Sequence, residues 1–190
     1  MGRMTETSFS LRTPKGDDVA RKICDTCGFV AYENPKIVVG SVVRHDGRIL
    51  LCRRAIQPRQ GFWTIPAGYL ELNETPEDGA RREAREEATA QLAIERLLAV
   101  YSVPRISQVQ LIYRASLAEP TIAPGIESQA VDLFAWDDIP WDELAFPSVH
   151  WALNHDRAAQ EGAPPVPFTN PGGATGNTIP DGRALPVGEF

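Results

Sequence analysis

Acidic side chains are concentrated between residues 71 and 87 of this 190-residue chain. Glu83, Glu86 and Glu87 stand at positions i, i+3 and i+4, which share one face of an α-helix. Like charges on one face repel each other, so such a helix needs cations nearby. Three arginines lie in the same segment: Arg81, Arg82 and Arg85. A solvated, charge-balanced helix face is therefore the plain interpretation of the cluster alone.

The residues before the helix favour a second interpretation. Gly68 ends a predicted short strand and begins a loop that leads to the helix, so the backbone carbonyls of Ala67 and Gly68 can lie beside the carboxylates. Such hard oxygen ligands suit Mg²⁺ or Mn²⁺. Bound divalent ions would neutralise the repulsion, bridge phosphate oxygens and activate a water molecule. A metal site that binds a phosphate substrate would then explain why the acidic residues are clustered.

From Gly68 to Ala90 the sequence reads GYLELNETPEDGARREAREEATA. It resembles the Nudix box, written G-x5-E-x7-R-E-U-x-E-E-x-G-U with U an apolar residue. Seven positions fall in register: Gly68, Glu74, Arg82, Glu83, Ala84, Glu86 and Glu87. Where the box has glycine this chain has Thr89, and a β-branched residue resists positive φ. We therefore expect the helix to end by another route or to run on.

The resemblance implies a fold, a chemistry and a set of site residues. The fold is the Nudix-type α/β/α sandwich with a mixed β-sheet, here preceded by a short N-terminal β-knuckle. The chemistry is metal-dependent attack of water on a diphosphate, with Mg²⁺ or Mn²⁺ as cofactor. The implied metal ligands are Ala67 and Gly68, through their carbonyls, and the catalytic carboxylates Glu83, Glu86 and Glu87. Glu74 and Arg82 match the motif as ion-pair partners that hold loop and helix together.

An additional carboxylate from a later loop is common in this family, as a base or an extra metal ligand. Glu127 lies in such a loop, and loops often carry functional residues. We take Glu127 as the catalytic candidate, with an ordinary exposed acid as the open alternative.

The resemblance covers roughly residues 22 to 156. The segment KICDTCGFVAYENPKIVVGSVV is similar to the front of a Nudix subgroup that carries a zinc ribbon and includes FAD pyrophosphatases. This implies cleavage of FAD or ADP-ribose into two monophosphates. The alternative is a catalytically weak Nudix-fold module that senses a nucleotide. Candidate substrate-binding residues are Arg53, Arg54, Trp63 and Tyr69; the two aromatic side chains can instead be core or rim.

Cys24 and Cys27 form a CxxC, whereas a zinc ribbon usually needs two such pairs. The first pair of the subgroup pattern is missing before the turn-like segment FSLRTPKGD, so the ribbon looks degenerate. Cys24 and Cys27 either bind Zn²⁺ with ligands from another chain or form a vestigial knuckle with free thiols. Cys52 lies in an apolar strand, and we expect it in the core.

The predicted elements are strands at 37–43, 49–52, 62–65, 92–103, 108–117 and 131–136, with helices at 75–90 and 147–159. Pro66-Ala67-Gly68 is expected to break the third strand. Asp46-Gly47 predicts a hairpin turn. Thr75 is the expected N-cap of the first helix, with Pro76 in its first position.

Three segments follow from composition and resemblance: an arm with a degenerate zinc-ribbon-like knuckle at 1–35, the Nudix hydrolase domain at 36–160, and a Pro/Gly-rich tail at 161–190. The arm is expected to be extended as far as residue 20. The tail is too poor in apolar residues to form its own core, so it is either disordered or wraps a partner subunit. We expect a homodimer, as Nudix proteins commonly form.

The formal net charge is −6, and hydrophobic residues make up 43% of the chain. The acidic balance argues against sequence-independent nucleic-acid binding, and no apolar run predicts a membrane span. The first fifteen residues lack the apolar stretch of a secretory signal, so we expect a cytoplasmic protein with a small nucleotide substrate.

Overall fold

The computed structural model describes residues 8–178. The chain forms two compact units, Met1–Pro35 and Lys36–Phe190. Expectations that concern residues 1–7 and 179–190 lie outside the described part.

The first unit contains a three-stranded antiparallel sheet in the order β1-β2-β3. Its strands are β1 (Phe9–Arg12), β2 (Arg21–Cys24) and β3 (Val30–Ala31). Residues 9–12 are extended, as expected, but they form a paired strand rather than an arm. They pair with β2 across a turn in which the Asp17 N–H donates to the Pro14 carbonyl at 3.1 Å.

The CxxC of this unit forms a tight turn. The Gly28 N–H donates to the Cys24 carbonyl at 3.0 Å, and Gly28 has a φ of +74°. Cys24 is buried and Cys27 is exposed, and neither forms a disulfide. Between them, Asp25 accepts hydrogen bonds from the hydroxyls of Ser8 at 3.0 Å and Ser10 at 2.6 Å. These bonds tie the turn to the start of β1.

The second unit is built on a mixed sheet in the order β10-β5-β4-β9-β8, with β6 paired to β5 and β7 paired to β4. The strands are β4 (Lys36–His45), β5 (Arg48–Arg54), β6 (Trp63–Thr64), β7 (Ala67–Tyr69), β8 (Leu92–Val103), β9 (Gln108–Leu117) and β10 (Ser128–Phe134). The central pair β4 and β9 is parallel, and the other pairs are antiparallel.

Two helices, α1 (Pro76–Ala88) and α2 (Pro147–Gln160), cover opposite faces of this sheet. Side chains alternate between the faces of a strand. On β4, Val43 joins the apolar cluster that contains Ala84 and Ala88 of α1, whereas Val42 joins the cluster that contains Ala152 and Leu153 of α2. The predicted α/β/α sandwich with a mixed sheet is confirmed.

The predicted hairpin turn and the predicted start of α1 are confirmed. Asp46 and Gly47 form the turn between β4 and β5, both with positive φ, as predicted. Thr75 caps α1, because its hydroxyl accepts the Asp78 N–H at 3.2 Å, and Pro76 is the first helical residue.

Two expectations fail here. The strand before Pro66 does end, as predicted, but Ala67 and Gly68 do not continue the break: they form β7, because they pair with β4. The helix does not avoid the glycine-type exit: Thr89 itself adopts the left-handed conformation, with φ 54° and ψ 17°. Its N–H donates to carbonyls of the last turn, at Ala84 and Arg85, and these bonds stabilise the unfavourable backbone angle.

The described part of the C-terminal tail packs on its own chain. Phe168 pairs with β8: its N–H donates to the Leu98 carbonyl at 2.8 Å, and its carbonyl accepts the Val100 N–H at 2.9 Å. The Asn170 side chain forms two hydrogen bonds with the backbone of Ser102 in β8. It accepts the Ser102 N–H at 2.9 Å and donates to the Ser102 carbonyl at 2.8 Å. We call residues 163–178 the strap.

Between residues 8 and 178, no helix combines the length and the apolar character that crossing a bilayer requires.

Candidate active site

Alanines fix the position of α1 on the sheet. Ala80, Ala84 and Ala88 recur every four residues on one face and are completely buried. Their small side chains let the helix lie close to the strands. Glu83 and Glu87 flank this stripe and are buried as well, with 8% and 5% exposure, while Glu86 is exposed.

Glu87 is the most deeply placed of the three carboxylates. Its Oε2 accepts the Ala67 N–H at 3.0 Å. Burial raises the pKa of Glu87 to about 8, and the negative charge of Glu83 adds to this rise. Burial likewise raises the pKa of Glu83. Two neighbouring carboxyl groups that resist ionisation form a site that a bound cation would stabilise.

Gly68 makes room for Glu83. A Cβ at this position would lie 2.5 Å from the Glu83 carboxyl carbon, closer than real Cβ contacts occur. The glycine of the box is therefore required here by contact across the space between β7 and α1, rather than by a positive φ.

Arg82 joins the loop to the helix. It donates to both carboxylate oxygens of Glu74, at 2.8 and 3.1 Å, and to the Tyr69 carbonyl at 2.9 Å. It also donates to Glu83 at 2.7 Å and Glu86 at 3.0 Å. Hydrogen bonds from Arg82 hold the pKa of Glu74 below its usual range. Glu74 and Arg82 thus occupy the bracing positions that the motif implied.

The loop that carries Glu127 is attached to the last turn of α1. The Ala123 N–H donates to the Ala88 carbonyl at 2.9 Å, and the Gly125 N–H donates to the Glu87 carbonyl at 3.0 Å. A Cβ on Gly125 would overlap the backbone carbonyl oxygen of Glu86. The sequence pattern does not indicate a role for Gly125; its position two residues before the candidate Glu127 is the one available signal.

These elements surround a cavity of about 550 Å³. All three helix carboxylates line it, together with Ala67, Gly68 and Glu127. The structure thus brings every proposed metal-binding and catalytic residue to one cavity.

The substrate-binding candidates separate into two groups. Arg54 and Tyr69 line the cavity, whereas Arg53 and Trp63 lie outside its lining. Arg53 donates to the Gly61 carbonyl at 2.8 Å, and Trp63 packs edge-to-face on Phe134. Successive residues of β5 point to opposite faces, so only one arginine of the pair can reach the cavity.

Arg54 is the cationic side chain beside Glu87 and Glu127 in this cavity. Burial lowers its pKa, and the two carboxylates oppose that shift. Its guanidinium group lies 5.2 Å from the centre of the Phe146 ring and donates to the Pro58 carbonyl at 2.7 Å. These contacts hold a positive charge at the carboxylate end of the cavity, where a phosphate would need it.

The donor set fits a divalent cation of the Mg²⁺ type. The described cavity lining offers carboxylate and carbonyl oxygens and contains neither cysteine nor histidine. Within residues 8–178, no three acidic, histidine or cysteine side chains already converge as a metal site, because Arg82 holds Glu83 and Glu86 while the Ala67 N–H holds Glu87. A cation would replace Arg82 as the partner of Glu83 and Glu86.

The chain belongs to the Nudix family. The NUDIX domain model matches residues 34–154, and the model for the Nudix N-terminal zinc-ribbon region matches residues 6–33. A crystal structure of a NUDIX hydrolase from Nitrosomonas europaea is 42% identical, with a TM-score of 0.81, covering 89% of this chain and 97% of that one.

Two further relatives are similar to this chain over part of its length. A MutT-like protein of Streptomyces ambofaciens is 38% identical over 102 residues, which are 54% of this chain and 64% of the relative. An ADP-ribose pyrophosphatase of Methanocaldococcus jannaschii is 28% identical over 119 residues, which are 60% of this chain and 69% of the relative. The chain thus spans about two thirds of the length of these relatives.

Proposed function

We propose that this protein is a divalent-metal-dependent pyrophosphohydrolase that cleaves a nucleoside diphosphate linked to another group into two monophosphates. ADP-ribose is the first substrate candidate and FAD the second. The observation that carries the proposal is the convergence of Glu83, Glu86 and Glu87 with the Ala67–Gly68 backbone and Arg54 in one cavity.

The oxygens of Glu83, Glu86 and Glu87, with a backbone carbonyl of Ala67 or Gly68, would hold the cation. Mg²⁺ or Mn²⁺ would supply a Lewis acid that offsets the charge of the diphosphate and lowers the pKa of water.

The chain's own residues perform the remaining tasks. Arg54, held by Pro58 and Phe146, would bind a phosphate oxygen at the carboxylate end of the cavity. Glu127 would accept the proton of the attacking water, from a loop whose position is fixed by hydrogen bonds to α1. Arg82 would act as a positioning residue that keeps the loop and α1 in register through Glu74.

The substrate choice rests on the relative from Methanocaldococcus jannaschii, whose name identifies ADP-ribose as its substrate. The size of the cavity supports it, since about 550 Å³ lies within the range of sites that enclose most of a small ligand.

Product analysis tests the proposal directly. The pure protein is incubated with ADP-ribose, FAD, NADH or a diadenosine polyphosphate, each with Mg²⁺ or Mn²⁺, and the monophosphates are separated and quantified. We expect monophosphates from ADP-ribose, loss of turnover in excess EDTA, and a loss of at least about 100-fold in Glu87→Gln. Glu119→Gln, a substitution of an exposed acid outside the cavity lining, is the matched control and should retain activity.

Absence of turnover with every substrate and both metals would refute the hydrolase. If ADP-ribose still bound under those conditions, the protein would be a nucleotide sensor.

A homodimer is part of the same proposal. Light scattering should give twice the 20.9 kDa mass of one chain. Because the strap pairs with β8 of its own chain, truncation after Gln160 should leave the dimer intact. A monomeric wild-type protein would refute the dimer, and a monomeric truncated protein would place the tail in the interface.

A further inference from the structure

The cavity extends well beyond the carboxylates, over the surface of β4, β7 and β9. In register, Val38 of β4 pairs with Tyr69 on one side and with Gln110 on the other. Paired residues on neighbouring strands point to the same face of a sheet. Gln108, two residues before Gln110, shares that face. These side chains therefore form one continuous floor, and all of them line the cavity.

This floor carries a row of uncharged hydrogen-bonding groups. The Gln108 side-chain amide donates to the Tyr69 hydroxyl at 3.3 Å. The Gln110 side-chain amide donates to the side-chain carbonyl oxygen of Gln108, also at 3.3 Å. At one end of this row the Tyr69 O–H can donate to a ligand. At the other end the side-chain carbonyl oxygen of Gln110 can accept. A ligand edge that offers both a donor and an acceptor matches this row.

Apolar and aromatic side chains form much of the wall of this half of the cavity, beside the charged Arg105. Val103 and Ile106 line it from the end of β8 and from the turn that follows. The Tyr69 ring also lines it and is 47% exposed, with the Lys36 ammonium group 5.1 Å from the ring centre. A half-exposed aromatic ring that a cation holds in place is suited to stacking.

The strap closes this half of the cavity. Gly176 is buried, lines the cavity and has a φ of +82°. A Cβ on Gly176 would lie 2.9 Å from Val103 Cγ1, so the backbone of the strap lies directly against the cavity wall. Asn170 holds the strap there through its bonds to Ser102 and a bond from its side-chain amide to the Ala174 carbonyl at 2.9 Å.

We infer that the half of the cavity formed by Tyr69, Gln108, Gln110 and the strap is a nucleobase subsite. The inference rests on the proposed function, which sets the orientation of the substrate. Its phosphates would lie at the carboxylate end of the cavity, and its base would lie beside Tyr69 and Gln110. A nucleobase presents donors and acceptors along its edge and an apolar face for stacking. A ribose ring is smaller than a base and is not planar, so it would cover less of the Tyr69 ring and of the apolar wall.

Binding measured without turnover tests the subsite. With EDTA present, the affinities of AMP and ribose 5-phosphate, which share the sugar and phosphate, are compared by calorimetry. We expect AMP to bind at least about tenfold more tightly. Tyr69→Ala and Gln110→Ala should each weaken AMP binding by roughly fivefold or more and leave ribose 5-phosphate binding unchanged.

Equal affinities for the two ligands would overturn the inference. So would a selective loss of AMP binding in Phe146→Ala together with no loss in Tyr69→Ala, because the base would then lie at the other end of the cavity. These outcomes are distinct from failure of the proposed function: base-selective binding without hydrolysis would refute only the enzyme.

The role of the strap has its own test. Asn170→Ala should raise the KM for ADP-ribose and weaken AMP binding by about threefold to tenfold, while kcat and ribose 5-phosphate binding stay unchanged. Asn177→Ala replaces an exposed asparagine of the same strap and is the matched control. An equal effect of Asn170→Ala on both ligands would show a general structural role and remove the strap from the subsite.

Discussion

Gly68 lies where the Glu83 carboxylate needs space, and this contact leads to a prediction for Gly68→Ala. The added methyl group would overlap the Glu83 side chain, so that carboxylate must turn away. Because the end of a flexible side chain moves easily, we expect unfolding free energy to fall by less than about 1 kcal/mol while turnover falls at least about tenfold. Urea unfolding and product analysis measure the two effects. Gly172→Ala, with open space around its added Cβ, is the control. Wild-type turnover in Gly68→Ala would contradict the prediction.

Gly125→Ala should behave differently, because its methyl group would overlap backbone rather than a side chain. The Glu86 carbonyl oxygen cannot move without distorting α1, so the loop that holds Glu127 must shift. We expect a loss of about 1–3 kcal/mol in unfolding free energy and a loss of turnover together. Unchanged stability beside the same Gly172→Ala control would show that the loop adjusts freely.

The single residues that the sequence could predict are those fixed by spacing within one helix. Glu83, Glu86 and Glu87 follow from the period of α1, and Arg82 with Glu74 follows from the motif. The separation of Arg53 from Arg54 depends on which face of β5 meets the cavity, and Gly125 depends on a contact with another element. Neither is encoded in local spacing.

Helix α1 ends at a strained residue, Thr89, and this strain leads to a prediction about the stability of the protein. Thr89 holds φ 54°, which costs a β-branched residue free energy that glycine does not lose. Thr89→Gly should raise the free energy of unfolding by roughly 0.5–1 kcal/mol, less than the full strain because glycine gains more entropy on unfolding. Thr89→Ala removes the branch but keeps Cβ, so its gain should be smaller. Destabilisation by Thr89→Gly in urea unfolding would refute the strain.

Helix α2 contacts the strap and β8 through His155, and this contact leads to a prediction about pH. The His155 ring stacks on Phe168 at 4.3 Å, and its Nδ1 lies 2.7 Å from the hydroxyl of the buried Tyr101. Burial lowers the pKa of His155 below its ordinary 6.5. The unfolded chain therefore binds more protons below pH 6.5, so this contribution to stability is present above that pH and is lost as the pH falls through the window below it.

His155→Phe should flatten that dependence, because it keeps a ring on Phe168 and removes the titrating group. Urea unfolding at about pH 7.5 and about pH 5.5 for both proteins measures the difference. An identical slope in the two proteins would show that His155 does not contribute.

Among the elements, those with a clear period or turn signal were predictable, including β8, β9 and both helices. Strand β7 was not, since its three residues follow a proline and become a strand only by pairing with β4. The strap was also not predictable as part of the domain. Its composition is rich in Gly and Pro, and its packing depends on two separated apolar residues, Phe168 and Ala174, and on backbone pairing of Phe168 with β8.

For the molecule as a whole, the first unit offers a prediction about zinc. Cys24 and Cys27 supply two thiols where a structural zinc site needs four ligands, and Asp25 is engaged by Ser8 and Ser10. Elemental analysis of the purified protein should find less than about 0.1 zinc per chain. One zinc per chain, lost in Cys24→Ser, would instead show that this unit recruits ligands from another chain.

The parallel pairing of β4 with β9 determines when the sheet can be completed during synthesis. One edge of β4, at residues 36–44, is covered only when residues 108–116 of β9 pair with it. Helix α1 and strand β8 are translated between these two segments. A nascent chain that ends within α1 therefore presents the unpaired backbone N–H and C=O groups of β4 along the edge that β9 later covers, and such edges attract other chains. The ribosome must add more than seventy residues after the start of β4 before that hazard ends, so we expect this domain to fold late and cooperatively during synthesis rather than progressively.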